Sequence, residues 1–325
     1  MLGSWIGSQV KTRSERVRGI NAALLSALLL GLTPIFGKQA INLGLNPLGV
    51  VAIRTLLATL LLFGVMAIFQ RQYLFIYPAG LIGCLLAGWV NGLGSLFFYS
   101  ALGRIDASIG QLLYSLYPLF VAMWMYIDSH SFSRLTLLRL AISLPAIFLL
   151  FFTGNGPVDW LGVVMMLLAA MLYALHLPIN QRVLYDIPAP TVTAYTLLAM
   201  SAIVVPTYIF SGTLNSIPSG TQVWWPVLAL TLVTFLSRLS LFTGVKHLGG
   251  MQTALLGLGE LLVTLILAAW WLGESLSLPQ WIGAFLLSLS ILLIAWDTSP
   301  PPQNRRRGWF SHISAPPMNP TDDPL

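Results

Sequence analysis

"GLGELLVTLILAAWWLGES", residues 257–275, holds two glutamates in an otherwise apolar run. Glu274 sits beside Gly273, where such a run stops, whereas Glu260 has apolar sequence on both sides. A helix needs about 20 apolar residues to cross roughly 30 Å of hydrocarbon. This stretch therefore reads as a membrane span with a carboxylate inside it, and the fold follows from how that is tolerated.

The rest of the chain has the same character. Of 325 residues 57% are hydrophobic and only 8% are charged, and the mean hydropathy is +0.82. A soluble domain of this length needs far more polar surface. Apolar runs predict ten helices, at 20–42, 47–69, 78–101, 106–127, 133–153, 160–183, 190–210, 223–246, 250–272 and 279–297. The expectation is an all-α integral membrane protein of ten transmembrane helices. The first run is too long for a signal-peptide core and reads as a retained span. The final stretch, 298–325, is rich in proline and polar residues and reads as a disordered tail.

The formal charge of +6 matters through its placement and is no nucleic-acid signal. Lys11, Arg13, Arg16 and Arg18 precede the first run, and Arg305, Arg306 and Arg307 follow the last. Basic ends face the cytoplasm, so both termini are expected there. Trp160, Trp224, Trp225, Trp270, Trp271 and Trp281 fall at the opposite ends as an interfacial belt. Cys84 stands alone and no Cys/His cluster has metal-ligand spacing; no metal or cofactor is expected.

A shift of 143 residues lays the first five runs over the second five without gaps. Gly19 meets Gly162, Pro47 meets Pro190, and "QLLYSLYPLF" (111–120) meets "ALLGLGELLV" (254–263). The units are a basic segment at 1–19, one five-helix repeat at 20–153, a second at 160–297, and the tail. An odd number of spans per unit inserts the second copy upside down, a device of secondary transporters.

Polar residues at helical spacing mark one face of several runs. They include Thr33, Asn91 and Tyr99, then Gln111, Tyr114 and Tyr117, then His176, Arg238 and Glu260. Small hydroxyls alone fit helix–helix contacts; the larger polar heads fit the wall of a central cavity, with the fifth and tenth runs outside. Glu260 lies about 15 Å into its span, near the midplane. Two readings stay open: a static pair with Arg238, or a place on the transport path. An apolar site disfavours the charged carboxylate, which would suit proton exchange. Arg54 reads as structural, its stem snorkelling to a membrane face. Pro34, Pro118 and Pro178 are candidate hinges.

The run "LLSALLLGLTPIFGKQAINLGLNPLGVVAIRTLLA", "ALGRIDASIGQLLYSLYPLFVA" and "LGLGELLVTLILAAWWLGESLSLPQWIGAFLLSLSILLI" resemble the drug/metabolite transporter superfamily, in its bacterial branch with paired EamA domains. The resemblance covers roughly residues 20 to 297. It implies a ten-helix inverted-repeat bundle with a central cavity, alternating access, and small organic metabolites, often exported amino acids. Family positions carried over are Pro118, Glu260, Gly273 and Glu274. The first copy departs from the pattern: "YIDSHSF" replaces "LGE", and Tyr117 stands where Glu260 stands in the second.

The expected function is a secondary carrier, an exporter of an amino acid or an amphipathic cation. Its partners would be the bilayer, a small-molecule substrate and a coupling proton, in a monomer or homodimer. The alternative, a membrane enzyme acting on lipid or isoprenoid groups, needs clustered catalytic residues. His130, His176, His247 and His312 are scattered, and no Gly-rich phosphate loop occurs.

Overall fold

The computed structural model describes residues 2–127, 134–151, 159–212, 220–273 and 278–293, and among them every long element is a helix. The expected tail, Glu274 and the stretch 128–133 lie outside the described residues. Helix α1 (Leu2–Asn42) runs unbroken through the basic segment, so residue 19 is no structural boundary. Then come α2 (Pro47–Phe69), α3 (Pro78–Leu102), α4 (Ala107–Tyr114), α5 (Tyr117–Ile127) and α6 (Arg134–Phe151). The second half supplies α7 (Trp160–Val183), α8 (Ala189–Phe210), α9 (Trp224–Leu248), α10 (Gly250–Gly257), α11 (Gly259–Trp271) and α12 (Leu278–Leu292).

The expectation of ten crossings is corrected. Eight stretches among the described residues are long and apolar enough to cross a membrane. They are α1 from Ser14 onward, α2, α3, the α4–α5 run, α7, α8, α9 with the turn before it, and the α10–α11 run. Of the run expected at 279–297 the described part is the 15-residue α12, which is not among these eight. Of the run expected at 133–153 the described part is the 18-residue α6, which holds Pro145 within it and carries Arg134 and Arg139; it too is not among the eight. These two helices pack chiefly on each other.

Local chemistry sets the helix ends. Asn46 accepts a hydrogen bond from the Leu48 amide, with Pro47 at the first helical position of α2. Asp159 accepts from the amides of Leu161 and Gly162 at 2.9 and 3.2 Å. Gly249, at φ 85°, supplies the left-handed residue that ends α9. The outer faces are apolar, and the six tryptophans expected as a belt are all exposed at helix ends.

Packing follows the sequence repeat. Helix α1 lies along α9 as α7 lies along α3, and α2 and α8 pack on each other; exchanging the halves maps these pairings onto themselves. Close approach is bought with small residues. At Gly31 of α1 a Cβ would come within 2.7 Å of the Glu260 carbonyl oxygen on α11. The Thr264 hydroxyl fills that seam, reaching the carbonyls of Gly31 at 2.8 Å and Glu260 at 2.9 Å.

Candidate functional site

Two matched helix breaks organise the site. Under the 143-residue shift, α4 falls on α10, and Ser115 falls on Leu258 at the interruption. The causes differ. Pro118 has no N–H to give the Tyr114 carbonyl and crowds that turn, so α4 ends and α5 starts anew. In the second half the sequence is "GLGE", and glycine supplies the flexibility instead. Tyr117 spans the two breaks by donating to the Ala254 carbonyl at 2.9 Å. Its hydroxyl lies 1.9 Å from where a Cβ on Gly257 would sit, so only glycine fits that position as the ring lies.

Helix corners at the two breaks are braced from matching positions. Lys38 on α1 donates to the carbonyls of Leu102 and Ile105, both at 2.9 Å, closing the α3–α4 corner. Gln181 on α7, its counterpart under the shift, accepts from the Gly250 amide at 2.6 Å, closing the α9–α10 corner. One brace is a cation on carbonyls; the other is an amide oxygen on an N–H.

Between the breaks lies a cavity of about 40 Å³, measured as the space open to the centres of water-sized molecules. That holds a few waters and is tight for an organic solute. Seven of the nine expected cavity residues line it: Thr33, Asn91, Tyr99, Gln111, Tyr114, Arg238 and Glu260. Tyr117 and His176 stand behind the wall, each buried and engaged. His176 Nδ1 bonds the Tyr173 carbonyl, which leaves Nε2 as an acceptor for Arg238 Nη1 at 3.4 Å.

Glu260 is 2% exposed. Gln111 lies beside its carboxyl, and Oε1 has no partner. The static ion pair with Arg238 does not form: among the described residues the salt bridge present is Arg104–Asp159, at 3.0 Å on the surface. Arg238 turns instead to neutral groups. The Asn91 amide, oriented with its oxygen on the guanidinium, accepts from Nη2 and Nη1 at 3.2 and 3.3 Å, and the Tyr173 ring lies under Cζ at 5.6 Å.

Arg54 corrects the sequence reading. Its head does not snorkel; the residue is 4% exposed and lines the cavity. Nη1 donates to the Thr234 hydroxyl at 2.9 Å, and the Tyr99 ring lies under Cζ at 4.7 Å. Nε has no partner, and neither has the Tyr99 hydroxyl. Tyr173, Thr234 and Ser237 also line the cavity; nothing in "VVAIRTLLA" shows that α9 and α3 close over Arg54. Among the hinge candidates, Pro118 sits at a break, whereas Pro34 and Pro178 lie inside the unbroken α1 and α7.

No group of three His, Cys, Asp or Glu side chains could hold a metal among the described residues.

Comparison with known proteins closes the description. The model of the EamA-like transporter family matches twice, over residues 17–152 and 160–296. No curated protein matches the chain. Among 29 matching solved chains, one protein crystal structure covers 87% of this chain and 97% of its own length, with a TM-score of 0.68. Its identity is 16%, so the likeness concerns fold alone.

Proposed function

The chain belongs to the EamA-like transporter family, a multi-pass group of carriers rather than enzymes, and on that footing we propose that it is a secondary active exporter of a small organic metabolite, such as an amino acid. The solute crosses by alternating access through the cavity between the two helix breaks. One observation carries the reading: buried ionisable groups from α2, α9 and α11 converge, without forming ion pairs, on a cavity flanked by interrupted helices. Unwound backbone at membrane depth is tolerated where it lines such a space, and interrupted helices frame the sites of many carriers.

In this reading Glu260 exchanges a proton with the path, using the oxygen that no protein group occupies. The two matched segments act as repeats over 20–153 and 160–297, with Pro118, Pro34 and Pro178 as points of bending. A single chain encloses the cavity, so a monomer suffices, and a homodimer would carry two paths. Basic residues at both ends put both termini in the cytoplasm of a bacterial inner membrane.

The test is purified protein in liposomes, supplied with labelled amino acids with and without a pH gradient. The gradient should accelerate flux in the native protein. Glu260→Gln should keep downhill exchange but lose that acceleration; retained acceleration removes the residue from coupling. Chemical alteration of a lipid, with no solute crossing, would replace the carrier with a membrane enzyme.

A further inference from the structure

Charge in the cavity is unbalanced. Arg54 and Arg238 bring two positive charges and Glu260 brings at most one negative, so the net is +1 with the carboxyl ionised and +2 with it protonated. Neither guanidinium has a carboxylate within 4.0 Å among the described residues. Their partners are a hydroxyl, an amide oxygen, an imidazole nitrogen and two ring faces, all neutral. Buried charge left without an opposite charge is costly, more so at membrane depth. An open position for an anion is what such an arrangement provides.

We infer that the transported solute bears an oxyanion, a carboxylate or phosphate, that docks between Arg54 and Arg238 with its apolar body against the ring wall of Phe98, Tyr99, Tyr114 and Tyr173. The inference rests on the carrier reading and names its substrate class. Thr234 holds only Nη1 of Arg54, and both Nε and the Tyr99 hydroxyl are unpartnered. A guanidinium edge presents two parallel donors to an oxyanion, which an ammonium cannot do. The rings form a continuous surface, with centroids 5.3 Å apart for Phe98–Tyr99, 5.0 Å for Phe98–Tyr114 and 5.2 Å for Tyr114–Tyr173. A single negative charge brings the sum with ionised Glu260 to zero. A zwitterion fits the same site with its ammonium on Glu260. A bare cation meets a surplus of its own sign, so the amphipathic cation expected from sequence is disfavoured.

The experiment uses the full chain in detergent and four probes: benzoate, its neutral isostere benzamide, the cation benzylamine, and inorganic phosphate as competitor. Calorimetric titration should give benzoate an advantage of about tenfold or more over benzamide, the size expected for charge-assisted hydrogen bonds, with benzylamine weakest. Arg54→Gln and Arg238→Gln should each erase that advantage by weakening benzoate far more than benzamide, while Arg54→Lys restores part of it. Phosphate that competes, or binds where benzoate does not, assigns the site to phosphate-bearing solutes and supports the inference. Benzamide or benzylamine binding as tightly as benzoate, with phosphate inert, overturns it. Because the ligand series is read on the unaltered protein, it decides even where a variant fails to fold. Liposomes separate the two claims. Benzylamine uptake without anion uptake removes the oxyanion and keeps the carrier. Benzoate binding with no solute crossing keeps the site and removes the carrier.

Discussion

The two helix breaks share a shape and divide the work. In the first half a proline imposes the interruption and Tyr117 ties it to the facing carbonyl of Ala254. In the second, glycines allow it, and the matching position holds Glu260, whose Oε1 is bound to nothing. The arginines are unequal too: Arg54 falls on Leu197 and Arg238 on Ser95 under the same shift. The backbone is therefore duplicated while the chemistry is not. Symmetry serves the packing, and the ionisable groups that line the cavity come once each.

The largest effect should come from filling the glycine that Tyr117 overlies. Gly257→Ala puts a methyl 1.9 Å from the hydroxyl, an overpacking that costs about 1–3 kcal/mol. Adding Tyr117→Phe should recover most of it, a coupling that a double-mutant cycle of thermal melts will read. A Gly257→Ala protein that melts like the native one would show that the second break is not locked by the first. The corner braces are of comparable size. Lys38→Met removes two charge-assisted bonds and should cost about 1.5–3 kcal/mol, whereas Gln181→Met removes neutral ones and should cost about 1 kcal/mol. Equal losses would erase the distinction between the halves.

Pro118→Ala tests whether the imposed break matters for turnover. Restoring the N–H lets Tyr114 regain a helical partner, so melting should hold or rise slightly while solute flux in liposomes slows severalfold. Unchanged flux would take Pro118 out of any bending role. The smallest effect belongs to the surface cap. Arg104, then the Gly162 and Leu161 amides, hold the Asp159 carboxyl below the usual carboxylate range. A group whose folded value is depressed stabilises above its unfolded value, near pH 4, and that contribution fades as pH falls through the folded value. Asp159→Asn should lower the melting temperature slightly at neutral pH and not at all in strong acid. The first half has no such cap: the matching residue, Arg16, lies inside unbroken α1.

The site was legible wherever a polar group stood out against an apolar run. Glu260, Arg238, Asn91 and Gln111 were visible in that way, because the cost of a polar head in lipid leaves only the interior for it. Tyr117 and His176 obey the same rule but satisfy themselves on backbone and neighbours behind the wall, and spacing does not separate those two outcomes. Arg54 was misread because counting from Pro47 placed it near a membrane face; its partners, Thr234 and Tyr99, are 180 and 45 residues away along the chain. The 143-residue offset sets Pro118 on Leu261, directly after the "GLGE" segment, and the breaks fall there. The number of crossings was not legible: hydropathy marks ten runs, whereas eight stretches among the described residues are long and apolar enough to span.

The seam between Gly31 and Thr264 has a consequence for motion. One hydroxyl there is shared by carbonyls of two helices, its own and one 233 residues away from it in the chain, and it does so at the turn that bears the carboxyl. Amides flanking Gly31 and those of the first turn of α11 therefore belong to one cooperative unit of opening, and in deuterium their protection should rise and fall together.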